Sequence, residues 1–235
     1  AFRINSIKHQ LEFDIAKNEP VLVYVSRMDE SRALVARQLI EIAPRIAEAV
    51  KGIKMLIVGG GDVFDELNKK AQEQNKKIGR KCITMTGART DINELIAVGT
   101  MFVGVSRAAL EAMASGKTVI VAGNEGYIGI FGEDKLELAR ENNFCCRGCE
   151  YSTEEKLYQD VLYVFKEMTE QQRQEVGLYS RGVIFEYYSV TKMARNCIEA
   201  YDAAWKANHT KQYNVILSGY YGFNNAGDEA ILLSM

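Results

Sequence analysis

The stretch "VGVSRAALEAMASGKTVI", residues 103–120, decides the fold. It reads as the end of a buried strand, then a helix of small and apolar residues, then a second buried strand. Within that helix Glu111 is the single acid, flanked by Leu110, Met113 and alanines that suit close packing against a sheet. Burying an unpaired carboxylate is costly, so its side chain is expected to face water, a cation or hydroxyl donors. With Ser106 as the helix cap, Glu111 falls in the second turn.

The same alternation extends in both directions. Short apolar, β-branched runs recur at 21–26 ("VLVYVS"), 55–61 ("MLIVGGG"), 82–87 ("CITMTG"), 101–105 ("MFVGV") and 118–123 ("TVIVAG"), with helical stretches between them. Continuous apolar strands separated by helices predict a parallel sheet covered on both faces. The fold class is therefore α/β, a doubly wound, Rossmann-like parallel sheet. Residues 31–50 show helical spacing of apolar residues, and "DINELIAVG" opens with Asp91 and Glu94 spaced as a capping box. Beyond 153 the pattern is wholly helical, ending in a segment from Ser189 that carries Met193, Cys197, Ile198, Tyr201 and Trp205 on one stripe.

Composition narrows the function classes. The 235 residues include 29 basic and 31 acidic ones, a net charge of -2, with no basic field suited to a phosphate backbone, so no nucleic-acid partner is expected. No apolar run approaches the roughly 18–20 residues that cross a bilayer, and "AFRINSIKHQ" lacks the apolar core of a secretion signal. A cytoplasmic protein is expected. Five cysteines, three of them in "CCRGC" at 145–149, are read as reduced thiols in a strand end running into a loop. Cys146 and Cys149 form a C-x-x-C pair, but the chain holds only two histidines, His9 and His209, so no tetrahedral zinc site is assembled from it.

In open α/β sheets ligands sit beyond the carboxyl ends of the strands. The loops there carry Ser26, Arg27 and Arg32; Gly59, Gly60 and Gly61; Gly87, Arg89 and Thr90; Ser106 and Arg107; and "GNEGYIG". Arginines with glycine turns and helix N-termini suit a phosphate or diphosphate, though arginines near helix starts are also often simply solvated. Two fingerprints fail. Phe64 stands where G-x-G-x-x-G needs a small residue, which disfavours a dinucleotide cofactor, and Asp228 and Glu229 follow Gly227 where a P-loop needs Lys and Ser or Thr. For Glu111 two readings stay open, a solvent-facing acid or a carboxylate bridging the two hydroxyls of a nucleotide ribose.

The segment "LEAMASGKTVIVAGNEGYIG" resembles the "EAMA" region of the nucleotide-sugar glycosyltransferases of the two-domain GT-B fold, and the resemblance covers roughly residues 20–206. It includes Arg27 and Arg32, "IVGGG" at 57–61 and "TGARTDINELIA" at 86–97. The resemblance implies a nucleoside-diphosphate-sugar donor, with Arg27 and Arg32 on the diphosphate, Glu111 on the ribose, Arg89 and Thr90 beside the base, and Gly126 and Tyr127 in a loop facing sugar and phosphate; the loop reading adds Gly61, Ser106 and Arg107 to the candidate donor site. No metal and no cofactor are implied, and the catalytic residues are not identified. The first glutamate of the family's E-x7-E motif would fall at Val103, and Thr118 replaces a proline.

The tail "VILSGYYGFNNAGDEAILLSM" resembles the start of bacterial polysaccharide pyruvyl transferases. The expected organisation is a lead-in from a missing N-terminal acceptor domain (1–19), the nucleotide-sugar-binding domain with C-terminal helices (20–206), a linker (207–212) and a truncated pyruvyl-transferase-like start (213–235). The expected activity is transfer of a hexosyl-type sugar to a bacterial cell-surface polysaccharide or lipid-linked glycan, at the cytoplasmic side or peripheral to the inner membrane face, with this fragment inactive alone. The alternatives are a non-catalytic scaffold for the pyruvyl transferase and a nucleotide-sugar epimerase.

Overall fold

A computed structural model describes residues 6–16 and 18–208. The chain divides into two compact units at Ser189 and Val190. The first unit holds, in chain order, α1 (Ser6–Glu12), β1 (Val21–Val25), α2 (Leu34–Ala49), β2 (Lys54–Val58), α3 (Phe64–Ile78), β3 (Ile83–Gly87), α4 (Ile92–Val98), β4 (Met101–Gly104), α5 (Ser106–Ala114), β5 (Thr118–Gly123), β6 (Gly126–Ile130), α6 (Leu136–Glu141), α7 (Glu154–Leu162) and α8 (Glu170–Tyr187). The described part of the second unit is one helix, α9 (Val190–Asn208). The pyruvyl-transferase-like tail lies outside the described residues.

The sheet order is β3-β2-β1-β4-β5-β6, with β1 to β5 parallel. Both faces are covered, as the continuous apolar strands require. Leu22, Tyr24, Met55, Ile57, Val103 and Ile120 pack on one side with Leu39, Ile46 and Leu67 of α2 and α3, and with Leu157 and Val161 of α7. Val21, Val23, Leu56, Val58, Phe102, Val119 and Val121 pack on the other with Leu95 of α4, Ala112 and Met113 of α5, and Val183 of α8.

Two expectations are corrected here. The doubly wound parallel sheet is present as expected, but "GNEGYIG" is not a loop: Asn124 and Glu125 make a two-residue turn, and β6 adds an antiparallel strand beside β5. Its outer edge is closed by side chains, with Ile130 N–H donating to Asp160 Oδ2 at 3.2 Å and Lys135 Nζ donating to the Ile130 carbonyl at 2.9 Å. The "CCRGC" stretch has no strand before it; it is a loop after α6 in which Cys146 is buried. All five cysteines are free, and burial pushes the Cys146 thiol up to about 12.

The helix ends also differ from the sequence reading. Asp91 occupies the N-cap position of α4 without a side-chain bond to the helix, since Arg89 takes its carboxylate and His9 takes that of Glu94. A capping box does form at α8, between Thr169 and Gln172. Lys117, the lysine of "GK", closes the other end of α4: Nζ donates to the carbonyls of Ala97 at 2.8 Å and Gly99 at 2.6 Å. Among the described residues no helix is long and apolar enough to cross a membrane.

Candidate functional site

The strand order reverses between β1 and β4, so the crevice beyond their carboxyl ends is where a ligand is expected in an open α/β sheet. One wall is the β1–α2 loop. Its backbone is stitched to β2 and the loop beyond it by Ser26 N–H to the Val58 carbonyl (3.1 Å), Met28 N–H to Gly60 (2.9 Å) and Val63 N–H to Met28 (3.0 Å). A Cβ on Gly59 would strike the Ser26 carbonyl, and one on Gly61 the backbone of Met28. The glycine run thus seats the arginine loop, a role that accounts for Gly61 without any ligand.

On that loop both predicted arginines are exposed. Arg27 Nε lies 3.3 Å from Asp29 Oδ2, with the arginine side chain 62% exposed. The Arg32 backbone N–H donates to the Asp29 carbonyl at 2.9 Å, and its guanidinium has no ion pair among the described residues. An exposed guanidinium with no committed partner is available to an anion.

The other wall is α5. Val105, in extended conformation, is the N-cap, and Ser106 is the first helical residue with φ +53° and no capping bond from its hydroxyl. The Ser106 N–H donates to the Phe144 carbonyl at 2.7 Å, so the loop after α6 holds the start of this helix. Glu111 does lie in the second turn. Its neighbours Ala109, Ala112 and Met113 are buried, whereas Glu111 is half-exposed and meets Arg107 Nε at 3.3 Å. Water and a guanidinium are what the lone carboxylate faces.

Val103 is fully buried in β4, in register with Tyr24 and Ile120. A carboxylate there would be enclosed between strands, and one residue, Val105, separates β4 from α5. Neither β4 nor that connection carries an acid.

The side chains of other predicted residues have partners of their own. Tyr127 turns to α7: its hydroxyl donates to Asp160 Oδ2 at 2.6 Å and lies 3.2 Å from the Lys156 carbonyl. Burial and that carboxylate together push the phenol well above its ordinary range. Tyr127, Gly129, Lys135, Lys156 and Asp160 line a separate groove of about 730 Å³, with none of Arg27, Arg32 or Glu111 in its walls. Gly126 is packed under the Cys146 carbonyl, where a Cβ would not fit.

Arg89 is committed inside the fold. It holds Glu12 through Nη1 to Oε1 (2.6 Å) and Nη2 to Oε2 (3.1 Å), and Asp91 through Nε to Oδ1 (2.9 Å) and Nη2 to Oδ2 (2.7 Å). This pairing lowers the pKa of Glu12 and holds Asp91 at about 2. Thr90 beside it is exposed. The Arg89 side chain is thus taken up by the fold, while that of Thr90 is open to solvent.

Sequence reading missed three contributors. Asn124 Oδ1 accepts the Leu34 N–H at 3.2 Å, capping α2 from the β5–β6 turn. Arg147 pairs with Glu125 beyond β5. His9, fully buried, joins Glu12, Asp91 and Glu94 beside Arg89. The one available signal was the His9–Glu12 spacing of three residues on a helix.

The family described as "Glycosyl transferases group 1" matches residues 19–143. No curated protein matches the chain. Among solved structures, a glycosyltransferase from Rickettsia africae superposes with a TM-score of 0.65 at 19% identity, over 88% of this chain and 53% of its own. Anabaena HepE, solved with UDP and glucose, gives 0.60 at 17% over 85% and 52%. WaaG, a glycosyltransferase involved in lipopolysaccharide biosynthesis, gives 0.58 at 19% over 83% and 51%. These likenesses show a shared fold, and the chain spans about half the length of each of the three.

Proposed function

The chain belongs to the glycosyl transferases group 1 family, and from that premise we propose that residues 20–206 form the donor-binding half of an enzyme that transfers a sugar from a nucleoside diphosphate to a bacterial surface polysaccharide or lipid-linked glycan. The observation that carries this reading is the reversal of strand order between β1 and β4, with exposed Arg27 and Arg32 in the loop that follows β1 and the start of α5, Arg107 and Glu111 directly after β4. As the bond between sugar and diphosphate breaks, negative charge grows on the leaving phosphate, and guanidinium groups with the positive end of a helix stabilise it. Glu111 accepts from the ribose hydroxyls after exchanging Arg107 for them. Arg89 and Thr90 meet the base through their backbone. The design uses no metal at the diphosphate, since guanidiniums supply the charge. The acceptor site belongs to a preceding domain, so this fragment binds donor without turnover. The enzyme works at the cytoplasmic side of the membrane, in sequence with a pyruvyl transferase begun at 213–235.

HepE was solved with UDP and glucose, which makes UDP the first nucleotide to test. A thermal-shift panel of UDP, GDP and ADP is expected to pick out one nucleotide, with stabilisation of about 2.7 kcal/mol at 100 times its Kd. Arg27→Ala and Glu111→Ala are each expected to weaken that nucleotide about tenfold, or ~1.4 kcal/mol. The burial of Val103 favours a second reading, a domain that has lost donor chemistry and scaffolds the pyruvyl transferase. A flat panel would establish that reading in place of the first.

A further inference from the structure

Beside the β3–α4 loop, outside the crevice, His9 is fully buried and both of its ring nitrogens face carboxylate oxygens. Nδ1 lies 2.8 Å from Glu12 Oε2, while Nε2 lies 2.8 Å from Glu94 Oε2 and 3.3 Å from Asp91 Oδ2. A neutral imidazole has one N–H, so whichever nitrogen carries it, the other points a lone pair at an acceptor. The pocket calls for positive charge at the ring. Three carboxylates against the single guanidinium of Arg89 leave two negative charges, which a divalent cation balances and a proton on His9 does not.

We propose that His9 Nε2, Asp91 and Glu94 bind one Zn²⁺ ion that joins α1 to the start of α4. The three ligating atoms lie within 4.8 Å of one another. Tetrahedral zinc with bonds of about 2.0–2.1 Å sets its ligand atoms roughly 3.3 Å apart. The Asp91–His9 separation of 3.3 Å already has that value, and the 2.8 Å at Glu94 opens by a small rotation of a partly exposed side chain.

The surrounding groups match what such a site needs. A metal-bound histidine usually donates its other N–H to a carboxylate, which fixes the tautomer, and Glu12 stands on Nδ1 in that role. A ligating carboxylate is itself usually held, and Arg89 holds both oxygens of Asp91. The buried imidazole selects zinc over Mg²⁺ or Ca²⁺, which prefer all-oxygen sites. Water completes the four ligands. The residues come from α1, from the position before α4 and from its first turn, so the ion ties together segments about 85 positions apart in sequence.

The test uses the whole 235-residue chain, stripped with a chelator and titrated with Zn²⁺ against a competing chromogenic chelator. One equivalent is expected to bind and to raise the melting temperature. Glu12→Gln is expected to weaken binding about 10- to 100-fold, and His9→Gln to abolish it, with circular dichroism reporting that each variant is folded. Should His9→Gln fail to fold, Co²⁺ on the unaltered chain decides: a spectrum lacking a thiolate charge-transfer band supports the site. A thiolate band, affinity lost in Cys146→Ser/Cys149→Ser, affinity retained in folded His9→Gln, or no binding to the unaltered chain would each overturn it.

Discussion

Arg27 and Arg89 stand in the same sequence setting, two residues beyond the end of a strand at the carboxyl edge of the sheet, yet the fold treats them oppositely. Arg89 is enclosed by two carboxylates, Glu12 and Asp91, with Phe13 under its guanidinium at 5.9 Å. Arg27 has one acid at 3.3 Å and is mostly in solvent. The difference lies in α1, which packs on α4 and brings Glu12 to the β3 side of the sheet. An arginine beyond a strand is a ligand-binding group only where no other segment supplies its counter-charge. Structural arginines should therefore cost stability when removed, and free ones should cost affinity.

The largest effect expected is on stability at Arg89. Arg89→Ala removes the guanidinium from Glu12 and Asp91 and leaves them only their contacts to His9, so a loss of about 2–3 kcal/mol is expected, the upper part of the range for hydrogen bonds to charged groups. Urea unfolding in the presence of chelator measures it. A loss below about 0.5 kcal/mol would show that the cluster is solvated and that Arg89 is free for ligand. The double change Arg27→Ala/Arg32→Ala should reverse the pattern. Nucleotide affinity falls about 10- to 100-fold, or ~1.4–2.8 kcal/mol, while stability stays within about 0.5 kcal/mol, as for surface substitutions generally. Unchanged affinity by titration calorimetry would move the diphosphate away from this loop.

Tyr127 sharpens the same contrast. The resemblance placed it in the donor loop, but its hydroxyl is bonded to Asp160 across the groove below β6. Tyr127→Phe removes one hydrogen bond to a charged group and leaves Asp160 with the Ile130 N–H, so a stability loss of about 1–2 kcal/mol is expected with nucleotide affinity unchanged. A change in affinity larger than the change in stability would return Tyr127 to the donor site.

What the sequence made legible follows from the range of each interaction. Strands β1, β2, β4 and β5 announce themselves because each is apolar on both faces, β3 by its apolar Ile83 and Met85 with β-branched Thr84 and Thr86, and the helices between them follow from spacing within one element. Strand β6 does not, since "GYIGI" has two glycines in five residues and its turn, Asn124–Glu125, lacks the glycine of the commonest tight hairpins. The seating role of Gly59 and Gly61 depends on the backbone of Ser26 and Met28, more than 30 residues earlier in the chain. The His9 cluster depends on α1 docking against α4, and nothing local to "IKHQLEF" reports an acid at position 94. The anion-binding wall was legible because Arg27 and Arg32 lie in one loop, while the directions of Arg89 and Tyr127 were set by Glu12 and Asp160 from other elements.

The smallest effect expected is at Arg107, and it bears on how Glu111 is prepared. The pair joins positions i and i+4 of α5 at 3.3 Å, with the Arg107 side chain 91% exposed, so Coulomb energy is largely offset by solvation and side-chain entropy. Arg107→Ala should change stability by no more than about 0.5 kcal/mol. Its effect on nucleotide affinity separates two roles that look alike without ligand. If Arg107 only masks Glu111, its removal frees the carboxylate and leaves affinity unchanged or slightly raised. If Arg107 also swings to the diphosphate, affinity falls by an amount that depends on salt, because the interaction is between exposed charges. Titrations of UDP at low and high salt, on this variant and on Glu111→Ala, distinguish the two. A fall in affinity for Arg107→Ala that disappears at high salt assigns it a place on the phosphate, and a fall that persists assigns it to the shape of the start of α5.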